Sequence, residues 1–281
     1  MKRFLLVLLP LVLLAAGMVS PVQAQTSSHR YVVFLAGLCP WTNSDHYCHG
    51  QIDAGVRARA TFRTLIAAMR SAHLDYTPLY YSYDSTRSDY TVKQTHRSVG
   101  ASAAGLSAEI RAVQSTDPEA SFVLVGHSLG GVVAARWASM HRTAPAASVI
   151  TFDSPLRGIR GGSVLGRVFG GDVWKSLQPG SASIRSIVTQ PTAWWLTDGH
   201  LHTVANTADV LVPPSEALLG DEHTVADTAC PRDLLFMRSC HGAVLSDATL
   251  NAWVVAHWIA PDLNPTPSPT PMPTPPASPA A

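Results

Sequence analysis

Charge is scarce in this chain: 14% of the 281 residues are Asp, Glu, Lys or Arg, and 20 basic residues face 19 acidic ones for a formal net charge of +1. Without a basic excess there is nothing to neutralise a phosphate backbone, which excludes nucleic acid as a partner. No phosphate-binding glycine fingerprint follows a strand-like run, which removes the nucleotide cofactors. Metal signatures are also missing. His200-x-His202, His223 and the cluster His46-Tyr47-Cys48-His49 match no standard zinc spacing, so neither a metal nor another cofactor is expected. The apolar run from Phe4 to Val19 is short for a membrane span of about 20 residues, and Pro10 interrupts it.

What the chain does have is apolar content, 46% hydrophobic residues, enough for a packed core. Its two ends stand apart from that core. Lys2 and Arg3 precede the apolar run, and Val22-Gln23-Ala24 resembles a small-residue cleavage site, so residues 1–24 read as a secretory signal peptide. Residues 264–281 hold eight of the 21 prolines, mixed with Thr, Ser and Ala, and read as an extended, unpacked tail. Between them, residues 25–263 suit a single folded domain. Four cysteines in an exported chain imply two disulfides. Of three pairings, Cys39 with Cys48 and Cys230 with Cys240 are preferred, each closing a short loop worth about 3 kcal/mol in the chain-entropy model.

Strand-like and helix-like segments alternate along this domain. Residues 31–35 are a continuous apolar run, as in a strand buried on both faces of a parallel sheet. Helical spacing follows over residues 53–72, a strand is expected over 74–83, and a helix over 102–114. Residues 121–125 form a strand that runs into Gly126-His127-Ser128-Leu129-Gly130-Gly131 and a helix through Met140. Residues 148–152, 184–188 and 201–205 read as further strands, and 247–259 as a closing amphipathic helix. This alternation predicts an α/β fold with a mostly parallel sheet covered by helices on both faces.

The segment Gly126-His127-Ser128-Leu129-Gly130 matches G-x-S-x-G between a strand and a helix, the context in which that motif presents a serine nucleophile. On these residues the chain resembles the α/β-hydrolase superfamily, in particular its lipase and esterase-like branch, whose elbow often reads G-H-S-L-G-G. The resemblance implies the α/β-hydrolase fold, an acyl-serine intermediate at Ser128, and an oxyanion hole made by the Leu129 amide and a second amide after an early strand. Ala36-Gly37-Leu38 occupies that second place, with Leu38 as the donor, although the family's usual His before the Gly is absent here.

The fold implies the order Ser, acid, His. Of the histidines after Ser128, His241 sits in a loop just before the closing helix and is chosen as the base, whereas His141 and His257 lie on helices and His223 has no such setting. For the acid, Asp209 in Asp209-Val210-Leu211-Val212-Pro213 resembles the family's Asp-x-x-Val-Pro segment. Asp153 is the alternative acid, and Asp198 a weaker third. The glycine-rich residues 158–180, with Val164, Leu165, Val168, Phe169 and Trp174, read either as a lid or as a crossover helix. Trp194-Trp195 read either as a lipid contact or as core.

The reading is thus an exported serine hydrolase acting on a small-molecule or lipid ester, with contact to a lipid interface left open. Two alternatives use the same residues: a thioesterase or acyltransferase, and a catalytically silent surface-binding module of the same fold.

Overall fold

A computed structural model describes residues 29–39, 48–84, 87–141, 146–162, 167, 170–189, 200–220, 222–228 and 240–264. The expected leader and nearly all of the expected tail lie outside these residues.

Six strands form one sheet: β1 (Arg30–Leu35), β3 (Thr77–Tyr80), β5 (Ser121–His127), β6 (Ala146–Phe152), β7 (His200–Asn206) and β8 (Glu222–Ala226). Their order is β3-β1-β5-β6-β7-β8, and every pairing is parallel. Two short strands, β2 (Gln51–Asp53) and β4 (Asp89–Thr91), pair antiparallel outside it. Because the chain goes from β1 outward to β3 and returns on the other side of β1 as β5, connections diverge between β1 and β5. In open α/β sheets that divergence opens a crevice at the carboxyl ends of the strands.

Strand alternation sorts side chains into two cores. Val33, Leu35, Phe122 and Leu124 point to one face, where α4 (Val99–Thr116) and α5 (Leu129–Met140) bring Leu106, Val132 and Trp137. Val32, Phe34, Val123 and Val125 point to the other, where α2 (Arg63–Ser71) and the C-terminal helical segment bring Leu65, Met69, Val254 and Trp258. All the strand residues named are buried, which is why these runs read as continuously apolar.

Several expectations need correction. Residues 184–188 are helical, within α7 (Ala182–Thr189), and not a strand. The β-branched Ile184, Ile187 and Val188 suggested a strand, yet their spacing puts them on one helical face with Ile184 and Ile187 buried. Ser181 Oγ also accepts from the Ile184 amide at 3.2 Å, as a helix cap does. The helix expected over 53–72 is two, α1 (Ala54–Thr61) and α2, broken at Phe62 where that ring packs 5.4 Å from Phe34. The strand expected over 74–83 shrinks to β3, an edge strand, which is where Pro78 is tolerated. Strand β8 has no counterpart among the expected strands, since its edge position leaves a polar sequence, EHTVA. The closing helix is capped by Asp247, whose side chain accepts from the Leu250 amide at 2.9 Å. It then runs through a π-helical turn at Val255–Ile259 and on to Leu263.

One buried acid carries a stability prediction. Glu109 on α4 accepts a hydrogen bond from the Ser82 amide at 3.1 Å, and burial pushes its carboxyl up to about 8 from an ordinary 4.5. Between these two values the folded chain keeps a proton that the unfolded chain has released, so stability falls as pH rises through that window. Glu109→Gln retains the acceptor for Ser82 and removes the charge. Its melting temperature should match the parent near pH 4.5 and exceed it by several degrees at pH 9, a gain on the order of 1–3 kcal/mol. Parallel melting curves for parent and variant across the whole range would count against this account.

Candidate active site

The residues singled out from the sequence gather at the carboxyl ends of the parallel strands, on either side of the divergence between β1 and β5. Ser128 follows β5 with φ 53° and ψ −125°, a left-handed turn that an L residue adopts only when its surroundings enforce it. Its amide donates to Phe152 O at 3.0 Å, and its carbonyl accepts from the amides of Gly131 and Val132 at 3.1 and 3.3 Å. The glycines make this turn sterically feasible. A Cβ on Gly126 would stand 2.6 Å from the Gly130 carbonyl carbon, and one on Gly130 would stand 2.6 Å from that of Leu35. Leu129 is the first residue of α5, so its amide belongs to the N-terminal set that a helix leaves without an internal acceptor.

Across the cleft is the turn after β1. A Cβ on Gly37 would lie 3.0 Å from Ser128 Cβ, which shows how closely this turn approaches the serine. Its carbonyls are held from behind: Tyr83 Oη donates to Ala36 O at 2.7 Å, Arg57 Nη2 to Leu38 O at 3.3 Å, and His96 Nε2 bonds Cys39 O at 2.9 Å. Arg57 also contacts Cys39 Sγ and, at 3.3 Å, the Tyr90 hydroxyl. Cys39 is joined to Cys48, with Cα atoms 5.5 Å apart, so the preferred pairing is present here.

Asp209 is buried in the turn after β7, and its two oxygens have separate duties. Oδ1 accepts from the amides of Leu211 and Val212 at 2.8 and 3.0 Å, while Oδ2 lies 2.7 Å from His241 Nδ1. His241 is fixed from several sides. Asn206 Nδ2 donates to Cys240 O at 3.3 Å, and the Gly242 amide donates to Asp153 Oδ2 at 3.0 Å. Cys240 is disulfide-bonded; its expected partner, Cys230, lies outside the described residues. Gly242 has φ 85°, and a Cβ there would stand 3.0 Å from His127 Nε2. His241 and Ser128 line one cleft of about 300 Å³ with Gly37, Leu38, Arg57 and His127.

Asp153 therefore does something other than hold the histidine ring. It is fully buried at φ 44°, with Oδ1 accepting from the Asn206 amide at 2.9 Å and Oδ2 from Gly242, and so it ties the turn after β6 to the loops carrying Asp209 and His241. Burial pushes its carboxyl up to about 6; Asp209 adds to that rise, and His241 and the two amides oppose it. Burial also holds His127 well below its ordinary value, helped by His241 and Arg57, so its ring is neutral.

Sequence reading missed Arg57, Thr95, His96 and Asn206. Thr95 Oγ1 accepts from the Cys39 amide at 3.3 Å, and Asn206 bridges Thr228, Ala208 and Cys240. Nothing local marks them, since each acts through partners distant in sequence. Asp198 and Trp194-Trp195 lie outside the described residues, as do Val164, Leu165, Val168 and Phe169. The described part of residues 158–180 includes α6 (Asp172–Ser176), whose Val173 and Trp174 are buried in the core. Among the described residues, no helix is long and apolar enough to cross a membrane.

The family model of class 3 lipases matches residues 36–160, less than half of the chain. That match spans the turn after β1, the Ser128 elbow and Asp153, and stops before Asp209 and His241. No curated protein sequence matches the chain. Among solved structures, the chain is similar to the mature form of the Bacillus licheniformis lipase BlEst2, with 15% identity and a TM-score of 0.50 over 84% of this chain and 94% of that one. It is also similar to a cutinase-like protein from Cryptococcus sp., with 12% identity and a TM-score of 0.48 over 84% of this chain and 95% of that one. The chain has the α/β-hydrolase fold. Residues 36–160 resemble the class 3 lipase model.

Proposed function

We propose that the protein is an exported serine hydrolase that cleaves carboxylic esters, small or lipid, through an acyl-Ser128 intermediate. The observation that carries this reading is the Asp209–His241 pair, 2.7 Å apart, with Asp209 buried and His241 half-buried, opening on the same cleft as a serine held in a strained elbow. Asp209 orients the ring so that Nδ1–H points at its carboxylate and the Nε2 lone pair faces the cleft.

Ser128 Oγ attacks the ester carbonyl carbon while His241 Nε2 takes its proton. The Leu38 and Leu129 amides hold the resulting oxyanion. The tetrahedral intermediate collapses, the ester C–O bond breaks, and His241 returns the proton to the departing alcohol. A water then attacks the acyl carbon by the same route, releasing the carboxylic acid and restoring Ser128. The disulfide between Cys39 and Cys48, with a second at Cys240, fits an oxidising compartment. Residues 1–24 are proposed to be the leader and 264–281 a spacer.

Labelling the folded protein with a fluorophosphonate and mapping the modified peptide tests the reading. Label at Ser128, with turnover of a short nitrophenyl ester, is expected. A folded protein that does neither is the silent binding module.

Each bridge borders a catalytic loop, Cys39 next to Leu38 and Cys240 next to His241. Dithiothreitol should therefore lower kcat, by up to roughly a hundredfold, before far-ultraviolet circular dichroism changes. Simultaneous loss of both signals would show that the bridges hold the whole domain and not the loops.

A further inference from the structure

Two imidazole nitrogens end in the cleft without a partner. His127 Nε2 and His241 Nε2 are both buried, and neither makes a hydrogen bond among the described residues. The two rings stand 4.9 Å apart between centroids, tilted by 40°. Asp153 completes the group: one ring nitrogen from each histidine and one Asp153 carboxylate oxygen all lie within 4.8 Å of one another. These three donors come from three chain segments, the end of β5, the end of β6 and the loop before the closing helix, so the sheet brings them together.

Donors of this kind suit a nitrogen-preferring divalent ion. Around a tetrahedral Zn²⁺ with bonds of about 2.0–2.2 Å, neighbouring donors sit about 3.3 Å apart, so closure needs a displacement of about 1 Å, within reach of side-chain rotation. The His241 Nδ1 bond to Asp209 leaves the lone pair on Nε2, and a carboxylate behind a histidine makes it a better ligand. Mg²⁺ prefers oxygen and octahedral geometry and does not suit this set.

We propose that His127, His241 and Asp153 form an inhibitory Zn²⁺ site, with cleft water in the fourth position. Zn²⁺ coordination is reversible and consumes no reactant. It occupies the lone pair with which His241 would accept the Ser128 proton, so bound metal stops turnover. The site itself stands on geometry; its effect on turnover rests on the hydrolase reading above.

The test uses the mature chain without an added histidine tag, carrying Ser128→Ala, titrated with Zn²⁺ against a chromogenic chelator. About one tight Zn²⁺ per chain is expected, with no comparable Mg²⁺ binding. His127→Gln in the same background should weaken Zn²⁺ at least tenfold, while His202→Gln, on β7 and not among the residues lining the cleft, should leave it unchanged. Should His127→Gln fail to fold, histidine-selective ¹⁵N NMR of the protein without that change reports which imidazoles respond to Zn²⁺. Absence of stoichiometric binding, equal affinity in His127→Gln, or resonance shifts confined to other histidines would overturn the site. In the parent enzyme, Zn²⁺ should inhibit and a chelator restore ester hydrolysis. A parent that binds Zn²⁺ at this site but hydrolyses nothing retires the hydrolase reading alone; an active parent that does not bind Zn²⁺ retires the metal site alone.

Discussion

Ser128→Ala should reduce ester hydrolysis by about four to six orders of magnitude while leaving the melting temperature nearly unchanged. Oγ is the attacking atom in the proposed reaction, and its loss leaves only the oxyanion amides and substrate binding to accelerate attack by water. Alanine keeps the same backbone, φ 53° included, so little folding energy is at stake. Ser128→Gly should be equally inactive and about 1 kcal/mol more stable, because a left-handed turn costs a non-glycine residue about 1–3 kcal/mol and glycine gives back part of the gain in chain entropy. Together the pair separates chemistry from strain. Hydrolysis that survives in both variants would remove Ser128 from the mechanism.

Asp209→Asn should lower kcat by about three to four orders of magnitude. The geometry gives a specific reason. Two amides, from Leu211 and Val212, already hold Oδ1 of Asp209, so the oxygen of the new side chain stays with them and its NH2 group faces His241 Nδ1. The ring must then accept at Nδ1 and carry its proton on Nε2, the wrong tautomer for a base. Asp153→Asn has a different consequence. Both Asp153 oxygens receive backbone N–H donors, from Asn206 and Gly242, and the amide group can satisfy only one of them. A stability loss of about 1–3 kcal/mol is expected, with a kcat loss at least tenfold smaller than that of Asp209→Asn. Measured kcat for both variants, beside their melting curves, decides the matter; a reversed order would transfer the acid role to Asp153.

How much was readable in advance depended on how local each signal is. The Ser128 elbow is contiguous: a strand, two flanking glycines and a helix start lie within a few residues, so sequence alone announces the turn and its serine. Strands β1, β5 and β6 were equally legible, because central strands buried on both faces read as unbroken apolar runs. Edge strands lose that mark. Polar β8 carries no apolar run to mark it and β3 is shorter than its apolar stretch, while the branched residues of α7 imitate a strand although their spacing puts them on one helical face.

The sequence by itself determined the fold class, the elbow, and a short list of acids and bases in the required order. Only the tertiary structure decided how that list is used. Asp209 meets His241 from 32 residues away, and Asp153 reaches the Gly242 amide from 89 residues away. Both aspartates follow strand ends and look alike in the chain; β6 and β7 are neighbours in the sheet, so both carboxylates reach the same loop, Asp209 at the His241 ring and Asp153 at the Gly242 amide. The nearness of His127 to His241 has the same origin. No spacing in the chain encodes it, since parallel strands and the connections between them set which strand ends become neighbours.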